Sequence, residues 1–170
     1  MRSFRAPIVA LALAGLALVG RPARGGEDAD LAARLRSAAN TLLAAGATED
    51  ADRMKPMTEA VGLLSQVAAR GQLQADVRAK LADAAARLRK GTTPFADPGV
   101  EDALNGAYAA LHAGRRFTLP PGIRGIDQAR EACQRAIDGA VAALETGRHE
   151  EATKGMLQFL MLLTTPMEAH

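Results

Sequence analysis

Side chains that could act as nucleophiles are few in this sequence, and none has the neighbours that catalysis requires. Cys133 is the only cysteine, and it lies between Ala129 and Ile137 on an apolar stripe of helical spacing. A thiol in such surroundings ionises poorly and behaves as a small hydrophobic side chain. The serines are not in a nucleophile-elbow sequence; they are Ser3, Ser37 and Ser65. We therefore expect a protein that is not an enzyme, with Cys133 buried in its core.

The histidines and methionines suggest a different chemistry, the binding of a metal or a haem. No two histidines have the spacing of metal ligands, so the sequence predicts no metal site, and His112 and His149 are expected to be solvated residues at helix ends. Thioether and imidazole groups nonetheless suit copper or a non-covalent haem. The set that could supply them is Met54, Met57, Met156, Met161, Met167 and His170. Because Met57 and Met156 fall on core stripes, where methionine often fills gaps, we expect no cofactor and keep a carrier of metal or haem as the alternative function.

Three arginines surround the longest predicted loop, residues 114–125, whose sequence is GRRFTLPPGIRG. The planar guanidinium group pairs bidentately with a carboxylate or a phosphate. Arg115, Arg116 and Arg124 are therefore the candidate contacts for an anionic group or a partner protein. The alternative is a solvated loop, in which the first two arginines only favour the negative end of the preceding helix.

The first 25 residues have the composition of a cleavable signal peptide. Arg2 and Arg5 precede an apolar run of 15 residues, 6–20, whereas a helix that crosses a membrane needs about 20. Ala23 and Gly25 then supply the small residues of a cleavage site. We expect residues 1–25 to be removed and residues 26–170 to be exported to the periplasm or the extracellular space, with no permanent membrane span.

Loss of this leader changes the sign of the net charge. The full chain has 21 Lys and Arg against 19 Asp and Glu, and the leader takes four of the cations and no acid, which leaves 17 against 19. The basic balance therefore belongs to the leader. Aromatic residues, which nucleic-acid-binding surfaces use to stack on bases, amount to 3% of the chain. We expect no nucleic-acid partner.

Glycines divide the remaining chain into six stretches in which apolar residues recur every three to four positions. A glycine just past a helix end adopts the left-handed conformation at little cost. The glycines are at positions 46, 71, 91, 114 and 147, and the predicted helices cover about 28–45, 48–70, 72–90, 98–113, 126–146 and 149–163. About 145 residues suit one domain. The sequence thus predicts an all-α fold, a compact single-domain bundle of about six helices arranged as antiparallel hairpins.

Local signals refine these helices. Asp28 or Asp30 could cap the first helix, and Asp97 followed by Pro98 predicts the start of the fourth. Pro56 predicts a kink or a new start near residue 55. Ile126 begins the apolar stripe of the fifth helix. The sixth helix is apolar over most of its circumference, which predicts a central position in the bundle.

Residues 136–163 resemble a tetratricopeptide-like helical hairpin. The segment 147–163, GRHEEATKGMLQFLMLL, has Gly147 at the turn, Ala152 at the small packing position, and Leu160 and Leu162 behind it. Residues 103–116 echo residues 136–149, but a proline-rich loop follows the first copy. The resemblance implies a helical scaffold that binds a peptide or a protein. We therefore expect an exported, non-catalytic module that binds its partner on a helical face or through residues 114–125.

Overall fold

The computed structural model describes residues 23–44, 50–91 and 97–165, which form six helices and no strand. The helices are α1 Ala23–Ala44, α2 Asp50–Arg70, α3 Ala75–Arg89, α4 Pro98–Leu111, α5 Ile126–Glu145 and α6 His149–Thr164. The all-α fold predicted from the sequence is therefore confirmed. Within these residues no helix is both long and apolar enough to span a bilayer. The predicted leader lies outside the described residues up to position 22.

The helices pack as two rows of three. One row is α1, α2 and α3, and the other is α5, α6 and α4; α1 contacts α5, α2 contacts α6, and α3 contacts α4 across the rows. The middle helices α2 and α6 each touch three others. Apolar side chains of all six helices meet between the rows in one continuous core.

Side-chain contacts fix the direction of each helix. Asp28 at the start of α1 lies against Arg70 at the end of α2 and His149 at the start of α6. At the other end of the bundle, Arg130 near the start of α5 donates a hydrogen bond to the carbonyl of Leu43 near the end of α1, at 3.3 Å. We call these two ends of the bundle the Asp28 end and the Arg130 end. Consecutive helices within each hairpin run antiparallel.

Helix α6 is the central element that its sequence predicted. Phe159 and Leu160 are each 1% exposed, because α6 contacts α2, α4 and α5 at once. Gly155 permits the close approach of α5, since a Cβ atom there would lie 3.0 Å from the carbonyl oxygen of Ala136. The connection from α5 to α6 turns at Gly147, whose φ is +71°. Helices α5 and α6 thus form a closely packed hairpin.

Several local predictions are confirmed and others are wrong. The Asp97 side chain accepts a hydrogen bond from the backbone N–H of Gly99, at 2.8 Å, and so caps α4. Helix α1 is not capped by Asp28 or Asp30, because it already begins at Ala23. Helix α2 continues through Pro56, so of the predicted kink or new start near residue 55 the new start is wrong.

Two residues at helix starts also differ from the prediction. Leu73 is buried but precedes α3, which begins at Ala75. Ile126 does not face the core: it is 68% exposed. As the first residue of α5 it projects beyond the packed part of the helix, so the apolar stripe of α5 effectively begins at Ala129.

Candidate functional site

Residues 112–125 cross the bundle from one end to the other. Lys80 of α3 lies against Gly106 of α4, and Arg87 lies 3.6 Å from Asp97, so α3 and α4 are antiparallel. Helix α4 therefore ends at the Asp28 end. Helix α5 begins at the Arg130 end. We call residues 112–125 the crossover, because they must span the length of the helices to join the two.

The crossover separates the three candidate arginines. Arg115 and Arg116 follow the end of α4 and so lie towards the Asp28 end, whereas Arg124 lies two residues before α5, towards the Arg130 end. All three are exposed. The backbone N–H of Arg124 donates to the Oε1 atom of Gln128 at 2.6 Å, which ties this end of the crossover to α5. One small anion cannot be held by all three side chains at once, so they can act together only on an elongated ligand.

An aromatic cluster holds the crossover on the bundle. The rings of Tyr108 and His112 stack with their centroids 3.9 Å apart, and Phe117 meets Tyr108 edge-on at 5.3 Å. The Nδ1 atom of His112 is 2.9 Å from the carbonyl oxygen of Tyr108. His112 is thus half-buried in the cluster rather than the solvated terminal residue that we expected. Farther along, Leu119 and Ile123 are half-buried against the core.

The sequence of the crossover contains a signal for this anchoring, although the arginines alone were predicted to be functional. Phe117, Leu119 and Ile123 are the apolar residues of an otherwise polar and proline-rich stretch. Their partners come from the bundle core, so their role depends on the path of the chain. The crossover is therefore a surface segment with an apolar underside and exposed arginines.

The positive charge of the crossover is not balanced by acids of its own. Residues 103–126 include Arg115, Arg116 and Arg124 and no Asp or Glu. Elsewhere many cations pair with acids on their own helix, as Lys80 does with Asp76 and Lys154 with Glu150. None of the three crossover arginines has an ion pair within the part of the chain that the structure describes. Their charges are therefore available to an external group.

A second polar cluster, at the Asp28 end, was missed by sequence reasoning. The Asp28 side chain, 8% exposed, accepts a hydrogen bond from Arg70 at 2.9 Å. Its two oxygens each lie 3.1 Å from the Nε2 atom of His149, which must carry the proton because a carboxylate only accepts. His149 is therefore not a solvated residue. The signal was absent because the partners are 42 and 121 residues from Asp28.

The electrostatics of this cluster are those of a satisfied ion pair. Burial raises the pKa of Asp28, but the hydrogen bonds and positive charges of His149 and Arg70 outweigh it, so the pKa lies below its ordinary value. The hydroxyl of Thr153 donates a hydrogen bond to the backbone carbonyl of His149 at 2.7 Å. It is therefore not hydrogen-bonded to the imidazole of His149, as a nucleophile would be to its general base.

Two open clefts, of about 500 and 760 Å³, flank the Asp28 cluster. The cations that line them already have acidic partners: Arg70 contacts Glu27 as well as Asp28, and Arg148 contacts Glu151. The clefts therefore offer no excess charge for an anionic ligand. We interpret the cluster as a structural clasp that joins α1, α2 and α6.

The residues considered for redox or metal chemistry lie mostly in the core. Cys133 is 2% exposed, and burial raises the pKa of its thiol to about 11, so its predicted burial is confirmed. Met57, Met156 and Met161 are buried among apolar side chains. Met167 and His170 lie outside the described residues. Within the described ranges no three His, Cys, Asp or Glu side chains are grouped as metal ligands.

The sequence matches no known family model, and comparisons with curated proteins and with solved structures found no relative. The likeness of residues 136–163 to a tetratricopeptide hairpin is therefore a likeness of one packed helix pair. Among the described surfaces, the crossover combines exposed arginines without ion pairs and a stretch of chain that contains no acid.

Proposed function

We propose that this protein is an exported, non-catalytic helical module that binds another protein or a peptide through the crossover. The observation that carries this proposal is the exposure of Arg115, Arg116 and Arg124, without acidic partners among the described residues, on a segment anchored to the core. The sequence of residues 1–25 supports export. The absence of a recognisable nucleophile and base arrangement in the sequence supports a binding role.

The crossover is long because it connects opposite ends of the bundle, and its length also gives a partner an extended surface. Most connections in compact domains have about four to six residues, and loops of more than about 12 without secondary structure are commonly functional. Residues 112–125 exceed that length, whereas α5 and α6 are joined by three residues, 146–148. The anchoring by Phe117 and Tyr108 reduces the conformational entropy that binding would otherwise cost.

The helical faces are less suited to binding. The exposed large hydrophobic residue in the described chain is Ile126, next to the crossover; no exposed apolar stripe runs along a described helix. Arginine is one of the residue types that dominate binding energy in protein interfaces. The three exposed arginines, together with the exposed Ile126 beside them, favour this surface over the helix faces.

The proposal is tested by affinity capture from the native envelope fraction. Three baits of residues 26–170 are compared. The first is unchanged, the second has Arg115, Arg116 and Arg124 replaced by Ala, and the third has a matched set of exposed helix cations replaced by Ala. The matched set is Arg36, Arg78 and Lys90. We expect the crossover variant alone to lose the captured protein, as quantified by mass spectrometry. Equal capture by all three baits, or equal loss in both variants, would contradict binding through the crossover.

A further inference from the structure

We infer that the segment bound by the crossover is an extended acidic polypeptide with carboxylates near both of its ends. This inference rests on the proposed function and specifies the partner's chemistry. Its basis is the division of the positive charge into two parts, the Arg115–Arg116 pair towards the Asp28 end and Arg124 towards the Arg130 end.

The fold sets the distance between these two charges. Helix α4 has 14 residues, which at about 1.5 Å per residue corresponds to roughly 21 Å. The crossover runs antiparallel to α4 over that length, so the charges are separated by a distance on the order of 20 Å. An extended chain advances about 3.3 Å per residue, so a segment with about six residues between its acidic groups would reach both.

Charge complementarity selects an acidic segment. The stretch 103–126 has no Asp or Glu, so an incoming carboxylate meets no repulsion from the crossover itself. Guanidinium groups bind carboxylates with two parallel hydrogen bonds.

Ile126 adds an apolar contact at the Arg130 end. It is 68% exposed and lies two residues after Arg124. An apolar side chain of the partner could therefore cover Ile126 while the neighbouring carboxylate of the partner pairs with Arg124. Nucleic acid is a poorer match, because Tyr108 and Phe117 are half-buried and packed against each other, whereas surfaces that bind single strands stack bases on exposed aromatic rings. The preferred ligand is therefore acidic at both ends, with an apolar residue near one end.

The test uses two fluorescein-labelled synthetic peptides of the same composition and a neutral control peptide. In the spaced peptide, two Glu precede six uncharged Ser and Gly residues, which are followed by Leu and two Glu. In the contiguous isomer the four Glu are adjacent, and in the neutral peptide every Glu is Gln. Fluorescence anisotropy with residues 26–170 at low ionic strength measures Kd. We expect the spaced peptide to bind at least about fivefold more tightly than its isomer, a ratio worth about 1 kcal/mol.

Variants test separately whether Arg124 and the Arg115–Arg116 pair contribute to binding of the spaced peptide. Arg124→Ala should remove the advantage of the spaced peptide, and the double variant Arg115→Ala, Arg116→Ala should do the same, whereas Arg36→Ala with Arg78→Ala should leave it unchanged. Equal affinity for the two isomers would overturn the inference. So would an unchanged isomer preference in the crossover variants, or arginine-dependent binding to phosphatidylglycerol vesicles without binding of the spaced peptide.

These outcomes are separable from those of the proposed function. If an envelope protein is captured through the crossover arginines but no acidic peptide binds, the proposed function stands and the inference about an extended acidic segment is wrong. If the spaced peptide binds as expected while its binding is insensitive to the crossover arginines, the inference is wrong, and the capture experiment alone decides the proposed function.

Discussion

Asp28 is the one charged side chain that is buried among the described residues. Its carboxylate joins three helix ends through Arg70 and His149. Removal of one member of such a group leaves buried polar atoms without partners, which costs more than a surface contact. The importance of a residue in this fold therefore depends on its distant partners more than on its local helix position.

The first prediction concerns the stability contributed by Asp28. Asp28→Asn should lower the free energy of unfolding at pH 7 by about 1–3 kcal/mol, whereas Asp30→Asn, on the exposed face of α1, should cost under about 0.5 kcal/mol. Urea unfolding measures both. An equal and small loss in both variants would show that the clasp does not stabilise the bundle.

The pH dependence of that loss has a definite sign. The folded chain lowers the pKa of Asp28 from 3.8, so its carboxylate stabilises the fold above that ordinary value, and the contribution disappears as the pH falls through the folded pKa. The difference between the original protein and Asp28→Asn should therefore be full at neutral pH and shrink below pH 3.8. A difference that stays constant down to the acid unfolding transition would contradict the ion pair.

The second prediction concerns Cys133. Because burial raises the pKa of its thiol to about 11, the reactive thiolate is scarce at pH 8 and the sulfur is shielded from reagents. A thiol reagent should label the native protein slowly and the denatured protein fast. Equally rapid labelling in both states would show that α5 opens to solvent near its middle.

At the scale of single elements, α6 determines the packing of the bundle. The third prediction is that Leu160→Ala lowers the free energy of unfolding by about 2–5 kcal/mol, because it leaves a cavity at a core side chain that is only 1% exposed. Gln158→Ala, on the exposed side of α6, should change it by less than about 0.5 kcal/mol. A loss below about 1 kcal/mol for Leu160→Ala would refute the central position of α6.

The fourth prediction compares two glycines of the α5–α6 hairpin. At Gly155 an added Cβ would meet the carbonyl of Ala136 at 3.0 Å and the Cβ of Ala140 at 3.1 Å, whereas at Gly139 nothing lies within 4 Å. Gly139→Ala should therefore stabilise the protein by about 0.5–1 kcal/mol through helix propensity. Gly155→Ala should destabilise it by about 1–3 kcal/mol through overpacking. Thermal or urea unfolding that shows the same sign for both would contradict the close contact of α5 with α6.

Helix positions could be predicted where the signals are local. The Asp97–Pro98 start of α4 and the glycine after α5 depend on residues adjacent in sequence, so the pattern alone indicated them. The start of α1 could not be predicted from capping residues, because Asp28 is bound to Arg70 and His149 instead. Ile126 was wrongly placed in the core for a related reason: periodicity continues to the end of a helix, but packing does not.

For the whole molecule, the candidate site was partly predictable. The arginines and the long loop were evident in the sequence, but the division of their charge between two ends of the bundle was not. That division follows from the directions of α4 and α5. Contacts between distant residues determine these directions, and one of them is the hydrogen bond from Arg130 to the carbonyl of Leu43. The same topology makes the crossover long, because it must connect opposite ends.

Site-specific photo-cross-linking tests most directly whether the crossover is the binding surface. A photoreactive amino acid replaces Thr118, which is exposed in the middle of the crossover, or Gln134, which is exposed on α5, in protein produced in living cells. We predict a cross-linked product of defined mass from position 118 that is absent from position 134, and that disappears when Arg115, Arg116 and Arg124 are replaced by Ala. A product formed only from position 134, or one from position 118 that persists without the arginines, would contradict binding through the crossover.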